Sequence, residues 1–204
     1  MNEYYTFETP YAFESVEVIN MHENAPLYDK ISVNEFIAYS EHPLNRNKDF
    51  ELINGNITMM SSPLLNHERI VRYISSSIYS KLKNKKCEVL ETFNVFLDED
   101  NVFRPDIMIV CDKSKLSANG YNGAPDFIIE VLSKSTKIID KGIKLDLYMK
   151  YGVKEYWIVD PFVYQVLIYK PNSNILQHCT FNEVIKPQYF DIEIDFSEIL
   201  EIIK

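Results

Sequence analysis

The stretch PDFIIEVLSKST, residues 125–136, sets one glutamate inside a run of branched and aromatic apolar residues. Phe127, Ile128, Ile129, Val131 and Leu132 read as a strand buried on both faces, with Glu130 in its middle. Taking an unpaired carboxylate out of water costs on the order of several kcal/mol. Position 130 therefore demands a cation or a full set of hydrogen bonds.

A second apolar strand lies upstream. IMIV, residues 107–110, follows Pro105 and Asp106, a place where proline costs no ladder bond. Alternation puts Asp106, Met108 and Val110 on one face and Ile107 and Ile109 on the other, while Glu130 shares a face with Ile128 and Leu132. If the two strands are neighbours, about 4.8 Å apart, Asp106 and Glu130 can converge on one cation. A hard divalent ion such as Mg²⁺ takes such oxygens together with waters. Asp126 lies about 13 Å from Glu130 along the same strand, too far to share a metal, and reads as a strand-entry residue.

Downstream, Ser135 or Thr136 can cap a helix that runs to Tyr151, where Gly152 provides a stop. On it Lys144 shares a face with Asp140, Lys141 and Tyr148. A lysine there can point at the sheet edge where Glu130 emerges and steady transition-state charge. Lys134 is the competitor, nearer in sequence but far along the strand from Glu130.

The rest of the chain supplies a scaffold. Residues 32–41 read as a helix with a capping box from Ser32 to Glu35. Residues 50–62 read as two strands around Asn54-Gly55, a strong hairpin signal. Residues 67–85 carry Ile70, Ile74, Ile78 and Leu82 at intervals of four, an amphipathic helix. Strands are expected at CEVLETF, NVFL and FRPDIMIV, then at EYWIVD and YQVLIYK. The pattern predicts a mixed α/β fold, a central sheet flanked by helices with an N-terminal helix and hairpin. Residues 1–27 read as an extension and 28–204 as one domain.

The 204 residues are 46% hydrophobic, enough for one sizeable core. No stretch of about 18 apolar residues is present, and the start lacks the basic and apolar regions of a secretory signal. Cys87, Cys111 and Cys179, isolated and odd in number, read as reduced thiols of a cytoplasmic protein. The net charge of -9 is uneven: acidic ends flank two basic stretches, residues 66–86 and 133–154. Those stretches can meet a phosphate backbone, or can be two solvated helix faces.

RPD ending at Asp106, PDFIIEVLSKST around Glu130, and KLDLYMKYGVKEYWIVDP from Lys144 together resemble the Uma2-type (DUF820) endonuclease family. That family lies within the PD-(D/E)xK superfamily with its restriction-endonuclease-like core. The likeness runs over residues 31–200 and takes in FELINGNI with Glu51 and SSPLLNHERI with His67. It implies that Asp106 and Glu130 are the metal-binding acids and Glu51 an auxiliary acid. Leu132 stands where the superfamily usually has lysine, and Lys144 is the matching candidate to supply that charge. The implied reaction is Mg²⁺- or Mn²⁺-assisted hydrolysis of DNA phosphodiesters, with Asp106, Glu130, Lys144 and Glu51 as the catalytic set. Arg69, Arg72, Lys137 and Lys141 would hold the strand backbone through salt-sensitive contacts. A homodimer would supply two sites for two cuts.

Ordinary readings stand beside these. Glu130 can pair with a buried lysine as structural glue, Asp106 can cap a turn, and Glu51 and Lys144 can be surface groups. His67 reads as opening its helix rather than performing chemistry. His22, His42 and His178 form no zinc spacing. Tyr156 and Trp157 read as core rather than as base-stacking platforms. Ser133 lacks a histidine partner for nucleophilic chemistry, and no glycine-rich phosphate loop exists. The alternatives to a nuclease are a nuclease-derived module that binds without cutting, and a metal-dependent hydrolase of a small phosphoester.

Overall fold

Ser32 opens the first helix, α1 (Val33–Ser40), through a complete capping box: its hydroxyl accepts the Glu35 amide, and Glu35 accepts the Ser32 amide at 2.7 Å. The computed structural model describes residues 30–133, 136–171 and 176–204. Expectations for the acidic extension, for Lys134 and for Ser135 as a cap lie outside these residues.

Strands β1 (Phe50–Ile53) and β2 (Asn56–Met59) form the expected hairpin, with Asn54 at φ 50° and Gly55 at φ 79°. Two successive left-handed residues are what a two-residue turn of this twist requires, and Asn-Gly supplies them at low cost. Helix α2 (Leu65–Leu82) buries Ile70, Ile74, Ile78 and Leu82, the stripe its spacing predicts. Each such side chain stabilises the fold by about 1.5–3 kcal/mol relative to exposure.

Then follow β3 (Glu88–Glu91), β4 (Val95–Phe96), β5 (Val102–Phe103), β6 (Ile107–Val110), β7 (Tyr121–Asn122) and β8 (Phe127–Val131). The segment 103–110 is not one strand. β5 pairs with β1 and β4, whereas β6 pairs with β3 and β8 in a different sheet. Pro105 sits at the break and has no N–H to donate, while the Arg104 amide is taken by the Glu51 carboxylate at 2.9 Å.

After β8 come α3 (Lys137–Ile139), a π-helical segment (Asp140–Lys144) and α4 (Leu145–Lys150), ending at Gly152 with φ 88°. Thr136 does not cap this run. Its hydroxyl accepts the Ser133 amide, and its own amide donates to the Ser133 hydroxyl. β9 (Glu155–Asp160) and β10 (Gln165–Tyr169) match expectation. The sequence reading missed β11 (Gln177–Thr180), β12 (Val184–Ile185), β13 (Ile194–Asp195) and α5 (Phe196–Ile203). β11 buries only Cys179 and the next two strands have two residues each, so alternation carried little signal there.

The main sheet has the order β11-β10-β9-β8-β6-β3. Only β8 and β9 run parallel within it, so the sheet is mixed. A smaller sheet, β2-β1-β5-β4-β7, and the pair β12-β13 complete the strands described. Ile107, Ile109, Phe127 and Ile129 pack in one core cluster with Ile70, Ile74 and Ile78 of α2. Met108, Val110, Ile128 and Leu132 pack in the other with Tyr148, Val95 and Phe103. Both faces are covered, which explains why β8 reads as an unbroken apolar run.

The register of β3 and β6 sets Cys87 opposite Cys111, and the two form a disulfide. This corrects the reading of three reduced thiols: residues 24 apart in sequence become cross-strand neighbours. Cys179 is free and buried.

Candidate active site

β6 and β8 are antiparallel neighbours, with Ile107 opposite Ile129, so Asp106 and Glu130 stand at matching positions where β6 begins and β8 nears its end. Two hydrogen bonds tie them together. The Asp106 amide donates to Glu130 Oε2 at 3.1 Å, and the Val131 amide donates to Asp106 Oδ2 at 2.7 Å. Asp126, at the other end of β8, binds Lys154 at 2.7 Å and the Cys111 amide at 2.8 Å, as befits a strand-entry residue.

The buried charge at position 130 has its partner in Lys144. The ammonium lies 3.0 Å from Glu130 Oε1, 2.8 Å from Glu51 Oε1 and 3.3 Å from Asp140 Oδ1. The approach to Asp140 is an ion pair without hydrogen-bond geometry, since Oδ1 has no hydrogen-bond partner. Asp140, Lys144 and Tyr148 recur every four residues and all face the sheet, the first two buried within the π-helical segment. Such widened turns occur disproportionately at functional sites. Tyr148 adds its hydroxyl 3.5 Å from Glu130 Oε1.

From the other face of the sheet, the first turn of α2 brings His67, whose Nε2 lies 3.2 Å from Asp106 Oδ2. His67 thus does more than open its helix. The N-cap position belongs to Leu64, which offers no side-chain cap. His67 Nδ1 is buried with no hydrogen-bond partner, 3.8 Å from Glu68 Oε1.

Burial and charge pull in opposite directions across this cluster. Burial drives the Glu130 carboxyl well above its ordinary range, against the opposing pull of Lys144. Burial likewise pushes Asp140 up to about 6. Burial favours neutral Lys144, but Glu130, Glu51 and Asp140 outweigh it and hold the ammonium well above its usual value. Burial also opposes charge on His67, and the Asp106 hydrogen bond and charge, with Glu68, overcome it and raise the imidazole.

The basic residues divide. Lys137 and Lys141 lie 3.5 and 3.2 Å from Asp160 Oδ2, at the same end of the sheet as Glu130. Arg69 donates to Asn66 Oδ1 and to the Ile202 carbonyl, and it lines a groove with Arg72, Ser76 and Ile202 between α2 and α5. Because α2 and α4 cover opposite faces of the main sheet, the two basic stretches do not merge into one surface. Tyr156 and Trp157 are fully buried and belong to the core.

A family model, Uma2, described as "Putative restriction endonuclease", matches residues 33–197. The chain belongs to the Uma2 family. A curated relative, the uncharacterized protein slr1290 of Synechocystis sp. (strain ATCC 27184 / PCC 6803 / Kazusa), is 24% identical over 156 residues, 75% of this chain and 80% of that protein. A crystal structure from Anabaena variabilis ATCC 29413, described as a "putative nuclease belonging to DUF820", superposes with a TM-score of 0.72. It is 20% identical and covers 85% of this chain and 99% of its own. At that identity it shows the fold alone, and the fold of this Uma2 chain is nuclease-like.

Asp106, Glu130, Glu51 and Lys144, singled out in the sequence, come together. Asp140 and Tyr148 entered the sequence reading only as neighbours of Lys144 on its helix, and their spacing of four was the signal that marks them. His67 lies in the family-like SSPLLNHERI segment, but nothing local marked its contact with Asp106, 39 residues away.

Proposed function

We propose that this Uma2 protein is a divalent-metal-dependent endonuclease that hydrolyses DNA phosphodiester bonds. The observation that carries the reading is the in-register pair Asp106 and Glu130, with the Lys144 ammonium held among Glu130, Glu51 and Asp140.

The donor chemistry fits a hard cation. Four carboxyl groups (Glu51, Asp106, Glu130, Asp140) gather around one ammonium and one imidazole, and burial disfavours charge on Glu130 and Asp140, a penalty that a bound divalent cation would relieve. Among the described residues no set of three or more His, Cys, Asp or Glu side chains forms a ready ligand cage. Mg²⁺ needs none, since one or two carboxylates with waters and substrate phosphate suffice. Asp106 and Glu130 are the residues that would hold Mg²⁺ or Mn²⁺. Bound there, the ion would polarise the scissile phosphate and lower the pKa of a water.

The chain's own groups have separable tasks. Lys144 places fixed positive charge where the phosphorane oxygens gain charge, in a site that excludes bulk water. Glu51 anchors Lys144 and, through the Arg104 amide, fixes the turn that delivers Asp106. His67 orients Asp106 and can hold a proton on its imidazole. Lys137 and Lys141 are proposed to receive the DNA backbone near the site, and Arg69 and Arg72 to meet it on the far side of α2. A homodimer would supply the two sites that a double-strand cut needs. A cytoplasmic place of work is proposed with this substrate, and there the Cys87–Cys111 bond would face reducing conditions. Among the described residues no helix is long and apolar enough to cross a membrane.

One observation favours a second reading, a nuclease-derived module that binds without cutting: Lys144 already satisfies Glu130, so the cluster also works as structural glue. Plasmid nicking separates the two. Cleavage by the wild type with Mg²⁺ or Mn²⁺, stopped by chelator and lost in Asp106→Asn and Glu130→Gln while both variants stay folded, is the expected result. Nicking by both variants at the parental rate refutes Asp106 and Glu130 as the site, and a folded wild type that binds DNA but cleaves none with either metal refutes the nuclease assignment.

A further inference from the structure

The turn between β9 and β10 is apolar where turns ordinarily carry polar residues. Phe162, Val163 and Tyr164 are 46%, 53% and 51% exposed, at the tip of a loop closed by the pairing of Asp160 with Gln165. The tip is held in shape. Tyr164 takes φ 55°, its carbonyl accepts the Phe181 amide at 3.0 Å, and its ring rests edge-on against Phe181. At the root, Asp160 Oδ1 accepts the Phe162 amide at 3.2 Å, while Oδ2 holds Lys137 and Lys141. Two ammonium groups share one carboxylate at the root, while Glu183, bound to Thr180 opposite Gln165, lies on the Phe181 side, so the positive charge is confined to the Lys137–Lys141 side of the tip.

This unit sits at the candidate active site's end of the sheet. Glu130 is paired in register with Ile158, and Asp160 lies two residues farther along that strand, about 7 Å at the usual rise. Exposed rings beside lysines, next to a phosphodiester-cleaving centre, match one chemistry: bases whose faces are free, with their phosphates on the cations. A B-form duplex keeps its base faces stacked inside and cannot use such a tip. A protein partner or a second copy would bury the apolar tip whatever bases a strand carries, so base-dependent binding separates the strand from a protein.

We infer that the β9–β10 turn is a stacking platform for unpaired bases, with Phe162 and Tyr164 as the ring faces and Lys137 and Lys141 following the phosphates. The substrate class is single-stranded or locally opened DNA. The choice of nucleic acid as occupant and of the strand as substrate both rest on the nuclease reading; the binding measurement does not.

Anisotropy with the full chain in chelator tests the platform without cleavage. The probes are a labelled thymidine strand of about 20 nucleotides, a duplex of equal length and an abasic strand of equal length. The wild type should bind the thymidine strand more tightly than the abasic one. Phe162→Ala should weaken the thymidine strand about 10-fold and leave the abasic strand and duplex unchanged, with Phe162→Trp restoring affinity. The inference is overturned by unchanged thymidine affinity, by equal losses on all three probes, or by a fall from dimer to monomer in sedimentation that accounts for the loss. A wild type that shows the base-dependent pattern but, with Mg²⁺ in place of chelator, cleaves neither plasmid nor the thymidine strand sinks the nuclease reading alone. One that nicks without the pattern sinks this inference alone.

Discussion

The Lys144 ammonium lies 3.0 Å from the Glu130 carboxylate, with only 2% and 4% of the two side chains exposed. Removing one member of a buried pair strands the other, and here three acids lose their shared cation. Lys144→Met should therefore destabilise the fold by about 3–5 kcal/mol at neutral pH, read from urea unfolding. It should also abolish cleavage. Leu132 is buried on the same face as Glu130, so Leu132→Lys in the Lys144→Met background should return part of the cleavage. No recovery in a folded double variant would show that the charge must come from the helix.

His67 holds Asp106 from the opposite face, at 3.2 Å. Partners that orient a metal-binding carboxylate typically contribute about 10–100-fold to affinity or activity. His67→Ala should lower the cleavage rate by that factor and raise the concentration of Mg²⁺ needed for half-maximal activity. A lower rate with unchanged Mg²⁺ dependence would assign His67 to proton handling instead.

Asp140 is pushed by burial from an ordinary 3.8 up to about 6. Its folded form binds a proton more tightly than its unfolded form, so its contribution to stability is greatest below the unfolded value. That contribution declines as pH rises through the window from 3.8 to about 6. Asp140→Asn should flatten this part of the stability profile relative to the wild type. Parallel profiles for the two proteins would remove Asp140 as the source.

The Cys87–Cys111 bond closes a loop of sequence separation 24. Closure of such a loop restricts the unfolded chain and is worth about 3 kcal/mol. Thiol reductant, or Cys87→Ser, should lower unfolding free energy by up to that amount. An unchanged urea midpoint would mean that the pairing adds nothing to stability in solution.

Much of the frame was readable from local pattern. Alternation assigned Met108 and Ile128 to one face of the sheet and Ile107 and Ile129 to the other, and the core clusters agree. The four-residue spacing of Ile70, Ile74 and Ile78 and the Asn54-Gly55 turn were equally legible. The break at Pro105 between two sheets was not, because each half of 103–110 still reads as apolar strand.

By itself, the sequence determined most of the elements from α1 to β10 and the faces their side chains take, since 2-residue and 3.6-residue periodicities are properties of short stretches. It also marked Glu130 as a charge in need of a partner. The sequence offered Lys144 as a candidate, but tertiary structure decided that its ammonium meets Glu130 and that His67 reaches Asp106 from across the sheet. Tertiary structure likewise joined Cys87 to Cys111. Those outcomes depend on register and helix placement, which are set by packing between segments distant in the chain and leave no local periodic trace.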